Sequence, residues 1–198
     1  VFAAETARDL GAKKVILIAP YLAFMRQDRR FNPGEAVSSQ IMAKLLDNCL
    51  DKIITVDPHL HRYKSLNNLF KIPAKKLTAN SLIADYVKKR IKNPLILGPD
   101  WESFQWAESI AKQIKAPVTI LEKTRYSSRS VSVRLKGQRQ LKKQQQKELI
   151  NFKNRNVVIV DDIISTGHTI LETAKILRKL GAKKIYCICV HGIFANDA

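Results

Sequence analysis

The chain has little cysteine, few acidic residues and no apolar run approaching membrane-spanning length. Each lack excludes something. The three cysteines in 198 residues, Cys49, Cys187 and Cys189, give neither an even set for a disulfide framework nor a four-ligand metal pattern. They fit a reducing, cytoplasmic setting. Cys187 and Cys189 alternate within an apolar run, so both are expected on one side of a sheet, in or near its core. Acids are outnumbered, 17 against 35 basic residues, for a net charge of +18. That surplus suits polyanionic small molecules or nucleic acid. Much of it lies in 134–155, where Lys136, Arg139, Lys142, Lys143, Lys147 and Lys153 meet only Glu148. The stretch lacks the interleaved aromatics that stack bases, and it reads as a solvated helix or loop. Nucleic-acid binding is therefore disfavoured, and no membrane partner is expected. The apolar content, 45%, is ample for one full domain or one plus part of another.

Strand-like and helix-like segments alternate. Short aliphatic runs at 15–19, 53–56, 94–97, 118–121, 157–160 and 185–190 suit buried strands. Amphipathic stretches at 36–48, 77–91, 102–114 and 170–180 lie between them. This predicts an α/β doubly wound parallel sheet, with ligands at the carboxyl ends of strands. Leu10-Gly11-Ala12-Lys13-Lys14-Val15 returns as Leu180-Gly181-Ala182-Lys183-Lys184-Ile185, each a helix ending at Gly before a strand. The echo fits either a common connection or two related α/β halves.

Polar clusters follow the strands. Arg26, Gln27 and Arg29, beside aromatics, could grip a triphosphate and a purine; a solvated basic loop is the plainer reading. Asp57 and His59, two apart on an extended segment with His61 beyond, suit a divalent ion or a phosphate oxygen. Asp100 is a candidate metal or sugar ligand, and Ser103 equally a first-turn helix residue. Lys123 and Arg125 aim two cations one way, as a phosphoryl group in flight requires, or form a charged turn. The fullest cluster ends the run Val157–Val160. Asp161 and Asp162 can accept hydrogen bonds from vicinal ribose hydroxyls, and Ser165, Thr166, Gly167, His168 and Thr169 lead into a helix whose N–H groups can wrap a phosphate.

The stretch 157–170 resembles the phosphoribosyl-pyrophosphate (PRPP) loop of phosphoribosyltransferases and PRPP synthetases. Six motifs in order resemble the ribose-phosphate pyrophosphokinase (PRPP synthetase) family across nearly the whole chain. They are Arg-Gln-Asp-Arg at 26–29, Asp-x-His at 57–59, Pro-Asp at 99–100, Lys-x-Arg at 123–125, Asp-Asp-Ile-Ile-x-Thr at 161–166, and His191-Gly192-Ile193-Phe194.

The resemblance implies a phosphoribosyltransferase-like fold, part of two tandem related domains. It implies transfer of the β,γ-diphosphoryl group of Mg-ATP to O1 of ribose 5-phosphate, by a homo-oligomer. Arg26, Gln27 and Arg29 would hold ATP. His59 would meet the triphosphate and Mg2+, with Asp57 and Asp100 as further metal ligands. Lys123 and Arg125, with His59, would be catalytic. Asp161, Asp162 and Ser165–Thr169 would bind the sugar phosphate. Lys71 and Lys75 stand where better-known members carry acids, and Trp101 and Ser165 also depart from the family pattern, marking a divergent branch. The chain is expected to be a middle portion, shortened at both ends: residues 1–69 closing the ATP-side domain, and 70–198 most of the ribose-phosphate side. The alternatives are a phosphoribosyltransferase or a non-catalytic homologue of the synthetase.

Overall fold

The computed structural model describes residues 1–127, 130–134 and 151–195, with side chains outside 122–150. Two compact units emerge, Val1–Ala79 and Asn80–Ala198.

In the first unit, helix α1 (Phe2–Asp9) precedes β1 (Ile16–Ala19), α2 (Ser38–Asp47), β2 (Lys52–Val56) and β3 (Ala74–Leu77). The strands form one parallel sheet in the order β1-β2-β3. Ile53 is fully buried, and Ala43, Leu46, Cys49, Leu66 and Phe70 close the core around it. Residues 74–77 hydrogen-bond to β2, and this compact unit runs to Ala79. The sequence Ala74-Lys75-Lys76-Leu77 carries too little apolar signal to read as a strand; its backbone pairing decides it.

In the second unit α3 (Asn80–Arg90), β4 (Pro94–Gly98), α4 (Phe104–Ile114) and β5 (Val118–Ile120) lead to an antiparallel pair, β6 (Glu122–Ser127) and β7 (Ser130–Arg134). Then come β8 (Asn156–Ile164), α5 (His168–Lys179) and β9 (Lys184–Gly192). The main sheet is parallel throughout, in the order β5-β4-β8-β9. Leu95, Leu97, Val157 and Ile159 pack with Leu177 of α5. Ile96 and Val158 alternate to the opposite face. Residues 95–97 and 157–160 are wholly buried, as in strands covered on both faces. Each such aliphatic side chain contributes about 1.5–3 kcal/mol of burial free energy.

Two expectations need correction. The strand over 157–160 does not stop at the carboxylates, because β9 pairs with it as far as Ile164. Cys187 and Cys189 are not core residues: Cys187 is exposed and Cys189 half-buried, since β9 is an edge strand of the described sheet. The basic stretch read as a solvated helix or loop lies, over 135–150, outside the described residues.

The internal echo is structural as well as sequential. Gly11 donates to Arg8 O at 2.8 Å and Ala12 to Ala7 O at 2.9 Å; Gly181 donates to Arg178 O and Ala182 to Leu177 O, both at 3.0 Å. Both are the same left-handed helix stop.

Candidate sugar-phosphate site

The carboxyl ends of β4 and β8, neighbours in the sheet, bring three carboxylates into one electrostatic group. Asp161 and Asp162 lie within β8, and Asp100 follows β4 by two residues. Burial, then the charges of Asp162 and Asp100, push the Asp161 carboxyl up to about 8. Each β8 carboxylate also accepts the next backbone N–H, Asp162 N to Asp161 Oδ1 at 3.0 Å and Ile163 N to Asp162 Oδ1 at 2.8 Å. These bonds hold the two side chains in fixed orientations. Asp100 is oriented by Ser103, whose N–H and Oγ donate to Asp100 Oδ1 at 2.8 and 2.9 Å. Ser103 thus clips the turn from strand to helix, a role compatible with its reading as a first-turn residue.

Past Ile164 the chain turns through Ser165, Thr166 and Gly167 into α5. Gly167 is the residue before the helix, in the left-handed region at φ 72°. The N-cap residue, Gly167, has no side chain with which to cap α5, and Ser165, Thr166 and Thr169 stand beside the helix start. The first-turn N–H groups and the positive helix end suit an anion. Thr166, His168 and Thr169 are exposed, and Ser165 is half-buried. The turn itself is fixed: Ile193 and Ala195 donate to Ile164 O and Ser165 O at 2.9 and 3.1 Å.

The first unit gathers its own set after β1 and β2. Arg62 pairs with Asp28 at 3.1 Å, tying the two loops together. The Gln27 side chain accepts a hydrogen bond from Ser38, and the exposed Arg29 lies 4.9 Å from the centre of the Phe31 ring. Arg26 is exposed. His61 Nε2 lies 3.2 Å from His59 Nδ1, with the rings edge to face. Asp57 is buried, and its Oδ2 accepts from Ala79 N at 2.7 Å and Thr78 Oγ1 at 3.1 Å. This carboxylate fastens the end of β3 to the end of β2, an anchoring contact that its position after a strand did not disclose. Lys123 and Arg125 lie in β6, opposite Val133 and Val131, with side chains outside the described ones.

Residues 65–196 match the phosphoribosyl transferase domain, and residues 1–49 match the N-terminal domain of ribose phosphate pyrophosphokinase. The chain is 36% identical over 203 residues to a ribose-phosphate pyrophosphokinase of Methanobrevibacter smithii, covering 100% of this chain and 66% of that protein. It is 38% identical over 196 residues to one from Saccharolobus solfataricus, covering 98% of this chain and 63% of that protein. The chain thus spans slightly less than two thirds of these relatives' length. The crystal structure of phosphoribosylpyrophosphate synthetase from Mycobacterium smegmatis shares the fold, with a TM-score of 0.81 at 24% identity over 98% of this chain and 59% of that one. The strand-end carboxylates, the helix that starts at Gly167 after them and the matched domains converge: the chain belongs to the phosphoribosyl transferase domain family and, within it, to the ribose-phosphate pyrophosphokinase family.

Proposed function

We propose that this chain is the substrate-binding part of a ribose-phosphate diphosphokinase. O1 of ribose 5-phosphate attacks the β-phosphorus of ATP, the bond from that phosphorus to the α,β-bridging oxygen breaks, and AMP leaves as PRPP forms. One observation carries the reading: two oriented carboxylates on β8 stand one tight turn before a helix that starts at Gly167. Asp161 and Asp162 accept hydrogen bonds from the ribose 2- and 3-hydroxyls. The 5-phosphate sits against the N–H groups at 167–169, with Ser165, Thr166, His168 and Thr169 around it. Arg26, Gln27 and Arg29 hold ATP, while His59 contacts its triphosphate. Lys123 and Arg125 stabilise charge on the diphosphoryl group during transfer. Such a reaction needs positioning and charge neutralisation more than covalent catalysis.

The oxygen-only group Asp100, Asp161 and Asp162 fits a hard divalent cation such as Mg2+, because a bound cation offsets the burial and the mutual repulsion that raise the Asp161 carboxyl. Asp100 would ligate it, and Mg2+ would neutralise phosphate charge. Asp57, with Oδ2 committed to Thr78 and Ala79, acts chiefly as an anchor between β2 and β3. The working form is a cytoplasmic homo-oligomer. Among the described residues, no helix is long and apolar enough to cross a membrane.

The test is nucleotide chromatography after incubation with magnesium-ATP, with and without ribose 5-phosphate. AMP formed only with the sugar present supports diphosphoryl transfer. Absence of AMP, from this chain and from one extended to the relatives' length, overturns it. Release of diphosphate from PRPP on adding a purine base would favour the phosphoribosyltransferase alternative. Binding of both ligands without turnover would favour the non-catalytic one.

A further inference from the structure

A cleft of about 860 Å³ opens at the amino ends of the second unit's main strands, between the starts of β4, β5, β8 and β9. This is the opposite end of the sheet from Asp161. Five residue steps along β8 separate Asn156 at the cleft from Asp161, roughly 16 Å at ~3.3 Å per step. Its charged lining is of one sign: Lys88, Lys92, Lys115, Arg155 and Lys183, with no Asp or Glu. Among the described residues none of these five is paired with a carboxylate.

The plain explanation is that lysines complement the carboxyl ends of α3 and α4, which point into this face. Magnitudes argue against that as the whole account. Two helix ends amount to about half a negative charge each, leaving roughly four of the five cations uncompensated. The walls are also fixed by hydrogen bonds to backbone carbonyls. Lys183 N donates to Arg155 O at 2.8 Å, Asn154 N to Gly181 O at 2.9 Å, and Asn156 Nδ2 to Lys92 O at 2.8 Å. Asn93, Lys115 and Asn154, all lining the cleft, hold left-handed backbone conformations. These turns gather cations from four separate connections around one cavity, whose volume is that of a small-molecule site.

We propose that this cleft binds a small anion carrying two or more phosphate groups, of the nucleoside di- or triphosphate class, independently of the sugar-phosphate site. A single phosphate would leave most of the five cations unmatched.

The experiment is calorimetric titration of the chain with inorganic tripolyphosphate and, separately, inorganic phosphate. It is done in an Arg26→Gln/Arg29→Gln background, so that the proposed ATP contacts do not contribute. Adding Lys115→Gln, Arg155→Gln and Lys183→Gln should weaken tripolyphosphate binding at least about tenfold. Adding Lys44→Gln, Lys64→Gln and Lys76→Gln, the same charge change on exposed residues of the first unit, should change it less than about twofold. Equal losses in the two variants would overturn the site in favour of net charge alone. Phosphate binding as tightly as tripolyphosphate would overturn the ligand class, and tighter binding of a short oligonucleotide through the same residues would replace it with nucleic acid. Should the cleft variant fail to fold, acetylation mapping on the parent chain decides. Tripolyphosphate should protect Lys115 and Lys183 but not Lys44 or Lys64; equal protection, or none, overturns the proposal.

Discussion

Ala79 donates its backbone N–H to Asp57 Oδ2 at 2.7 Å, closing the end of β3 onto the end of β2. The carboxylate is buried, and Thr78 Oγ1 shares the same oxygen. Asp57→Ala leaves two donors without their acceptor and should destabilise the chain by about 1–3 kcal/mol. Urea unfolding followed by circular dichroism measures it. Divalent-ion affinity should stay within about twofold, and a larger loss of affinity than of stability would return Asp57 to the metal site.

Gly98 ends β4 under the start of α4. A methyl group there would lie 3.1 Å from Phe104 Cα and N and from Ser103 Oγ. Two of these neighbours are backbone and cannot move aside alone. Gly98→Ala should therefore cost about 1–3 kcal/mol and lower Tm, read by calorimetry. It should also loosen the Ser103–Asp100 clip.

Asp161 supplies a pH dependence. Its folded-state pKa is raised from 3.8 to about 8, so the folded chain holds this proton more tightly than the unfolded one. The contribution to stability is fully present below 3.8 and is lost as pH rises through about 8. Asp161→Asn removes the titration. Because the group is only half-buried, the variant should gain on the order of 1 kcal/mol over the parent between pH 5 and pH 8. Chemical denaturation at several pH values gives the slope, and a parent curve as flat as the variant's would contradict the shift.

Gly167 stands at φ 72° immediately before α5. A side chain at that dihedral costs about 1–2 kcal/mol, so Gly167→Ala should displace the first turn and weaken ribose 5-phosphate binding by about tenfold. Thr173→Ala, deeper in the same helix, serves as a control for stability effects. Equal weakening by both would count against an anion at the helix start.

Turnover should separate the two ends of the proposed reaction. Lys123→Ala should lower kcat by about a hundredfold or more while leaving ribose 5-phosphate binding largely intact. Asp162→Ala should weaken sugar binding first. Steady-state kinetics with equilibrium binding distinguishes them, and the reverse pattern would exchange the roles.

The sequence by itself determined the alternation of elements and the positions where chemistry follows a strand. Buried parallel strands need uninterrupted aliphatic runs, and Leu95–Leu97 and Val157–Val160 supply them. The motif 161–169 was legible because strand, tight turn and helix start are all local. What was not local was not legible. The lysine-rich β3 is a strand only through its pairing with β2, and that pairing fixes what Asp57 does. The joint electrostatics of Asp100 and Asp161 arise because β4 and β8, far apart in sequence, are neighbours in the sheet. The basic cleft arises the same way, from four connections that meet only at the sheet's opposite end. Short-range pattern sets which residues can fold into which element, whereas hydrogen-bonded strand order sets which of them share a field.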